Sequence, residues 1–445
     1  MAMPDLNALR AEIDTCSVMR RLFRVLRASG GVVTLSLGEA GCRIGDRVRF
    51  VDLPGSGGEV IALEPGIATV LPDREVDGLQ IGSRAEILGP VEIAPDPCWV
   101  GRIIDPFGRP VDGRPLMRGA VDYPVRADPP APATRGRLGA RLQTGLRVFN
   151  TLLPIVRGQR IGLFAGSGVG KSSLLGQLAR GVEADLSVIA LVGERGRELR
   201  DFVEDVLGPD GMARSIIIVA TSDQSALIRR RAMWTAMTVA EYFRDKGMQV
   251  LFLADSITRF AEAHREVALA AGEPPSLRGF PPSTAHLLTA LTERAGPGKA
   301  EGGDITAILS VLVAGSNMDE VIADTMRGVL DGHVVLDREI AERGRFPAIN
   351  LLRSVSRALP AAATGPENLL IQRVRHVLGA YDRAEMMIQA GLYAAGSDPL
   401  VDLSIRLWPA LDAFIAEKET DTVDGSFARL AEIFDAVDQK RKEMV

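Results

Sequence analysis

The chain has no cysteine framework. Cys16, Cys42 and Cys98 are far apart, odd in number and form no CxxC pair. That argues against a disulfide-stapled fold and fits a reducing cytoplasm. Histidine is equally scarce. His264, His286, His333 and His376 are scattered and show no zinc-ligand spacing. An excess of positive charge is also missing: 57 acidic residues face 52 Lys and Arg, for a formal net charge of -5. Composition therefore gives no whole-surface footprint for nucleic acid or an anionic membrane. No apolar run is long enough to span a bilayer, and stretches such as Ser215–Ala220 fall well short. The opening MAMPDLNALRAEIDTC lacks a basic region followed by an apolar core, so it does not read as a signal peptide. Any membrane association is expected to run through partners. Internal repeats and long low-complexity segments are absent too.

What is present is ordinary for a globular protein: 46% hydrophobic and 24% charged residues over 445 positions. That length suggests two or three domains. Residues 5–14 read as a short helix with Leu6, Leu9 and Ile13 on one face; it is either a packed chain end or a docking helix. Between 18 and 92, short β-rich runs (Val32–Leu37, Arg47–Val51, Glu59–Leu63, Ile67–Leu71, Ala85–Ile87) alternate with Gly, Pro and Asp turns, which predicts a small barrel or sandwich. Residues 92–135, rich in Pro, Gly and Arg, read as a connector. From 136 to 345 apolar strands alternate with helices: Arg160–Phe164, Ser187–Val192, Ser215–Ala220, Val250–Ala254, Ile305–Val313 and His333–Leu336. This pattern predicts a mostly parallel sheet covered on both faces. After about 350 the strands are expected to stop. Residues 368–395, 400–417 and 426–442 read as helices, with Pro409 kinking or ending the second near Trp408.

The strongest motif is Ala165-Gly166-Ser167-Gly168-Val169-Gly170-Lys171-Ser172, continuing into Ser173. It follows an apolar strand and opens a helix, as a phosphate-binding loop requires. Glycines let the backbone curl so that its N–H groups point at phosphate oxygens. Lys171 is placed to reach the β- and γ-phosphates of ATP, and Ser172 to ligand Mg²⁺. Ala165 stands where the strict pattern has glycine, but Gly166, Gly168 and Gly170 preserve the flexibility. A merely similar glycine-rich turn is the bland alternative.

Downstream, Val250–Ala254 ends in Asp255, at the end of a strand where ligands of such sheets sit. Asp255 is the second candidate metal residue. The strand Leu186–Val192 runs into Gly193-Glu194-Arg195-Gly196-Arg197-Glu198. Hydrolysis needs a group that holds the attacking water, and Glu194 is the best-placed candidate, with Arg195 to offset developing charge. A solvated charge run at a strand end is the alternative. Arg357, in Ser354-Val355-Ser356-Arg357, could enter a neighbouring subunit's site, although residues alone leave that a guess.

The blocks GLFAGSGVGKSSLL (162–175), GERGRELRDFVEDVLGPDG (193–211), VLFLADSITRF (250–260), GEPPSLRGFPPST (272–284), IADTMRGVLDGHVVLDREIAE (322–342), FPAIN (346–350) and SVSR (354–357) together resemble the rotary-type hexameric ATPase family. That family includes the catalytic subunits of ATP synthases and the ATPases of type III secretion. RGQRIGLFAGSGVGKS (157–172) and GLYAAGSDPLVDLSIRLWPALDAFI (391–415) are most similar to the flagellar protein-export branch.

The resemblance implies an α/β fold: a RecA-like P-loop core with an N-terminal β-barrel and a helical C-terminal domain. The expected division is 1–20, a regulator-binding helix; 21–92, barrel; 93–349, ATPase core; 350–445, helices. It also implies a homohexamer with sites at the interfaces. Lys171, Ser172, Glu194, Arg195, Asp255 and Arg259 match the family's phosphate, metal and water contacts, and Arg357 its arginine finger. Phe346 matches the residue that stacks on adenine, and Tyr393 is a second candidate. Non-catalytic members lack the glutamate found here as Glu194, so an active subunit is implied.

The loop Ala271–Thr284 matches the loop that meets a coiled-coil stalk protein in the central hole. Residues 1–20 match the part that binds a dimeric regulator. Export substrates, chaperones and the membrane export gate are the remaining partners implied, with the ring held in the cytoplasm against the inner membrane. Segments 131–147, 296–303 and 313–320 depart from the family pattern. The rival readings are an injectisome ATPase with identical chemistry, a Rho-like nucleic-acid motor, and a non-hydrolysing ring member. Against the motor stand the acidic balance and the lack of a basic, aromatic-lined strand-binding module, so no nucleic-acid partner is expected.

Overall fold

The computed structural model describes residues 20–38, 41–299, 302–313, 318–419 and 422–443. The helix expected over 5–14 lies outside the described residues.

Six strands, β1 (Leu22–Ser29), β2 (Val32–Ser36), β3 (Arg47–Phe50), β4 (Gly57–Glu64), β5 (Ile67–Pro72) and β6 (Arg84–Gly89), close into a barrel in the order β1-β2-β5-β4-β3-β6. Alternate residues point inward: Phe23 and Val25, Val33 and Leu35, Val48 and Phe50, Ala68 and Val70. This period of two is what an antiparallel sheet with one wet face demands. β1 was not foreseen. Only two of its eight residues are buried, and Arg24 and Arg27 interrupt the apolar signal.

The stretch expected to be a connector contributes more than a link. β7 (Glu92–Ile93) and β9 (Tyr123–Pro124) pair as a small ribbon. β8 (Arg102–Ile104) joins the central sheet as its edge strand, parallel to β12 (Ser215–Thr221). Three residues are too few to show a periodicity.

The central sheet also holds β10 (Arg160–Ala165), β11 (Leu186–Glu194), β13 (Val250–Asp255), β14 (Gly296–Pro297), β15 (Asp304–Leu312), β16 (Gly332–Leu336) and β17 (Ile349–Ser356). Its order is β17-β16-β10-β15-β13-β11-β12-β8, with β14 pairing on β15. Neighbours from β16 to β8 are parallel, and β17 runs antiparallel to β16. The central strands β10, β11, β12 and β13 are buried on both faces, which explains their unbroken apolar runs. Helix Ala226–Asp245 covers one face. Helix Lys171–Gly181 and the C-terminal helices Gly365–Gln389, Pro399–Ala416 and Val423–Glu443 pack on the other.

One expectation needs correction. Strands do not stop at 350: the boundary placed between 349 and 350 falls inside β17, whose mixed sequence INLLRSVS hides its register. Of the two outcomes expected at Pro409, a kink or an end, the helix does not end there, because Pro399–Ala416 runs through it. Proline removes one backbone hydrogen bond. Here Leu407, Leu411 and Phe414 are buried around it, and Trp408 stacks on Tyr381 at 4.8 Å. This packing holds the helix together across the break.

The atypical stretch 131–147 is a tie rather than a linker. Arg135 pairs with Glu293 at 2.9 Å, Arg141 with Glu367 at 2.9 Å, and Arg147 with Glu417 and Glu419 at 3.4 Å. Residues 145–147 also exchange backbone bonds with 417–419: Arg147 N–H donates to Glu417 at 3.1 Å and Glu419 N–H to Gly145 at 3.2 Å.

Barrel and core meet at a buried acid. Glu59 on β4 is 2% exposed and accepts hydrogen bonds from Arg126 and, at 3.0 Å each, from Arg230 and Arg231. Burial alone would raise its pKa; Arg230, Arg126 and Arg231 outweigh that and hold it low. Glu59→Ala leaves buried guanidiniums without their counter-charge. It is expected to destabilise the chain by about 3–5 kcal/mol, seen as a lower urea midpoint with an unchanged m-value.

Candidate functional site

Sheet order β10-β15-β13-β11 brings the carboxyl ends of three motif-bearing strands to one edge, β13 beside β11 and β10 one strand away across β15. β10 delivers the phosphate loop. Gly168 (φ 77°) and Gly170 (φ 83°) adopt the left-handed conformation that a side chain resists, which lets the loop curl into helix Lys171–Gly181. Ser172 and Ser173 stand exposed on that helix's first turn, and Val169 is buried beneath the loop. Gly166, Ser167 and Gly168 line its open side.

β13 delivers Asp255, which is 4% exposed. Its carboxylate is in contact with the Lys171 ammonium and accepts a 2.8 Å hydrogen bond from Ser310 Oγ on β15. Ser256 then caps helix Ile257–Ala270, its hydroxyl accepting from Arg259 N–H at 3.3 Å. β11 delivers Glu194 through a register shift against β12 at Val192/Glu194, with Gly193 at φ 75°.

Glu194 has the most informative electrostatics. Burial, a hydrogen bond with Glu198 and the charge of Asp255 push its pKa up to about 7, against the opposing pull of Lys171. Glu198 is shifted down, chiefly by the same hydrogen bond. A carboxyl tuned near neutrality suits proton transfer. Glu198 lies in the same motif, and its role comes from this hydrogen bond rather than from the motif. Its spacing of four from Glu194 was the available signal, although β11 ends between them and helical spacing did not apply.

If Glu194 acts as the base, it must be ionised. The sign follows: a carboxyl whose pKa is raised to about 7 is mostly neutral below that pH. kcat/KM for ATP is expected to climb as pH rises through about 7, rather than through the ordinary glutamate range near 4.3. A rate profile from pH 5.5 to 9 checks this, and a flat profile above pH 5.5 removes the assignment.

The remaining candidates divide. Arg259 lays its stem over Gly193: a Cβ there would lie 3.2 Å from Arg259 Cβ and Cγ. Its Nη1 donates to Glu262 at 2.9 Å, while Nε is buried with no protein partner. Arg195 is exposed at the start of helix Gly196–Asp201. Phe346 is 51% exposed, and a Cβ on Gly170 would meet its ring at 3.0 Å, so the ring lies against the end of the phosphate loop. The structure thus brings Lys171, Asp255, Glu194, Arg259 and Phe346 to one place.

Tyr393 sits elsewhere in its contacts. Its hydroxyl lies 3.0 Å from both the Asp398 carbonyl and Asp402 Oδ1, where it braces the turn before helix Pro399–Ala416. Arg357 is at the other end of the sheet. Its N–H donates to the Asp331 carbonyl, and the Asp331 carboxylate accepts from Arg160 N–H, at the start of β10. The phosphate loop begins at the opposite end of β10, roughly 17 Å along the strand. Arg357 is exposed there, with Nη2 donating to the Arg327 carbonyl at 3.2 Å.

Comparison with known proteins agrees with this geometry. Residues 145–356 match the nucleotide-binding domain of the ATP synthase alpha/beta family, and residues 365–432 match the C-terminal domain of the type III secretion ATPase EscN. The chain is 43% identical to the flagellum-specific ATP synthase of Caulobacter vibrioides, covering 96% of this chain and 99% of that protein. It is 40% identical to the type 3 secretion system ATPase of Xanthomonas euvesicatoria, over 92% of this chain and 93% of that one. Among solved structures, the assembled ATPase EscN of enteropathogenic E. coli superposes with a TM-score of 0.86 at 37% identity, over 92% of this chain and 99% of that one. EscN in complex with its central stalk EscO gives 0.84 at 36%, with the same coverage. A phosphate loop, a buried aspartate and a glutamate of raised pKa at one edge of the sheet, with identity running along 96% of the chain, lead to one conclusion: this chain is an ATPase of the ATP synthase alpha/beta family, in its flagellar and type III secretion branch.

Proposed function

We propose that the chain hydrolyses Mg-ATP in a homohexameric ring that energises export of flagellar proteins through a type III secretion apparatus. The observation that carries the chemistry is the convergence of Lys171, Asp255 and the pKa-raised Glu194 at the carboxyl edge of the sheet, on strands β10, β13 and β11 with β15 between the first two. Nucleotide binding exchanges the Lys171–Asp255 contact for bonds from Lys171 to phosphate oxygens. Glu194 then orients a water in line with the γ-phosphate and takes its proton, with Glu198 as the neighbouring carboxylate. Arg259 and Arg195 face the charge that spreads over the γ-oxygens.

The donor set fits a magnesium ion. Among the described residues no group of three or more His, Cys, Asp or Glu forms a metal cage. Mg²⁺ needs none, since it keeps water and phosphate ligands and takes only one or two from protein. Ser172 and Asp255 are the residues to hold it, and bound there it neutralises charge on the β- and γ-oxygens.

The ring rests on Arg357. Its place at the far end of the sheet bars it from its own chain's phosphate loop and suits a neighbour's. The flagellar assignment follows the higher identity to flagellar relatives. On this reading the loop Ala271–Thr284 meets a coiled-coil stalk, residues 1–20 bind a dimeric regulator, and export substrates, chaperones and the gate complete the partners. The ring works in the cytoplasm at the inner face of the membrane. Among the described residues no helix is long and apolar enough to cross it.

The direct test of the site is Lys171→Ala. Loss of one charge-assisted contact to phosphate is expected to weaken Mg-ATP binding about 10- to 100-fold by titration calorimetry. Unchanged affinity would remove the phosphate-loop assignment.

A further inference from the structure

Beyond the hydrolytic site, a polar chain, buried from Glu59 to His264 and half-buried at Ser283 and Glu273, links the barrel to a loop of the core. It begins at Glu59 in the barrel and continues through Arg230 on helix Ala226–Asp245. Arg230 Nη1 lies 3.5 Å from Nδ1 of His264, which is 8% exposed on helix Ile257–Ala270. His264 Nε2 lies 2.8 Å from Ser283 Oγ. Ser283 in turn donates to Glu273 twice, from its hydroxyl at 2.6 Å to Oε2 and from its N–H at 2.9 Å to Oε1.

The protons can be assigned along the whole chain. Ser283 has one hydroxyl proton and gives it to Glu273. Its oxygen must therefore accept from His264, which fixes the proton on Nε2. That leaves Nδ1 with a lone pair facing the Arg230 donor. His264 is neutral in this arrangement. Burial and the nearby charge of Arg230 push its pKa down to about 4, against the pull of Glu273. Every link then has one donor and one acceptor.

The two ends of this chain are distant in purpose. Glu273 and Ser283 form the neck of the loop Ala271–Thr284, whose tip is closed by bonds from Ser276 N–H to Phe280 and from Gly279 N–H to Ser276, both 3.0 Å. Glu59 belongs to the barrel. An apolar patch beside the polar chain, Ile61 on β4 against Ala226, Leu227, Ala263 and Val267, bonds the same three elements.

We propose that His264 is a positioning residue: through Arg230 and Glu59 on one side and Ser283 and Glu273 on the other, it locks the neck of the loop Ala271–Thr284 to the β-barrel. The loop then keeps one orientation relative to the barrel and to the helix that starts beside Asp255. Its consequence for a protein in the ring's central hole rests on the reading proposed above; the lock itself does not.

The test is amide hydrogen exchange on the full chain, read in peptides covering 273–284, for His264→Leu and His264→Gln. Leucine fills the space but neither donates nor accepts. Glutamine carries an acceptor and a donor about 2 Å apart, as the imidazole does, and can restore both links. Losing one link of net value near 1.4 kcal/mol accelerates local exchange about 10-fold. His264→Leu is expected to show that acceleration at Ser276, Gly279 and Ser283, with exchange in β11 and β13 unchanged. His264→Gln is expected to return near the wild-type rate. Equal exchange in all three chains overturns the proposal, and so does acceleration by leucine that glutamine fails to rescue. If His264→Leu does not fold, Ser283→Ala breaks the same link from the loop side and is read the same way. ATP hydrolysis by the isolated chain, measured alongside, is expected to be unchanged in both His264 variants. A wild type with no hydrolysis would sink the ATPase reading while leaving the exchange result to stand or fall by itself.

Discussion

The Glu194→Gln chain is expected to bind Mg-ATP as tightly as the wild type and to hydrolyse it about 10²- to 10⁴-fold more slowly. Glutamine keeps the shape, the burial and a hydrogen bond to Glu198, so the loop and Lys171 have no reason to move. What it loses is the ability to accept a proton from water. The change removes the group whose pKa sits at about 7, so the residual rate is also expected to lose its acid limb near neutrality. Phosphate release under saturating ATP is the measurement. An unchanged rate would show that water is held by something else, with Glu198 the next group to replace.

Arg357→Ala is expected to cost more, about 10³- to 10⁵-fold in kcat, if the guanidinium acts on a neighbour's γ-phosphate. Specific activity of the wild type is expected to rise with protein concentration as subunits associate, and the variant to show no such rise. Mixing separates a shared site from a structural defect. Lys171→Ala and Arg357→Ala chains are each inactive alone, yet a mixed assembly contains interfaces with an intact phosphate loop on one side and an intact Arg357 on the other. Partial recovery on mixing is the expected result. No recovery, with sizing that shows mixed assemblies form, would place Arg357 outside the reaction.

The parts legible from the residues were those in which one element carries its own signal. β10, β11 and β13 are apolar runs ending in a glycine loop, a glutamate and an aspartate, and each could be read without its neighbours. The barrel strands with clean alternation, such as Val33 and Leu35 in β2, were equally readable. Elements whose identity depends on distant partners were not. β8 is three residues long and is a strand only because β12 lies beside it. β17 mixes buried and wet positions at the sheet edge. Pro409 is a helix breaker by local chemistry, and Tyr381, Leu407 and Leu411 override it. At the site, Glu198 was hidden because its meaning comes from its hydrogen bond with Glu194. The contact of Phe346 with Gly170 joins positions 176 residues apart in sequence. Tyr393 rested on the family resemblance alone, and its hydroxyl bonds turn it toward Asp398 and Asp402.

The helical C-terminal segment is an arch with both feet on the same stone. It leaves the sheet near Thr364, where Glu367 is held by Arg141, and comes down again at 417–419 on residues 145–147. A pendant domain swings on one hinge; an arch moves only by shifting its footing. That footing is seven residues of backbone, Arg141 to Arg147, and its Thr144 carbonyl leaves no room for a Cβ at Gly181, the last residue of the helix that Lys171 opens. The phosphate-loop helix thus ends directly against the base of the arch, with no space between them for even a methyl group.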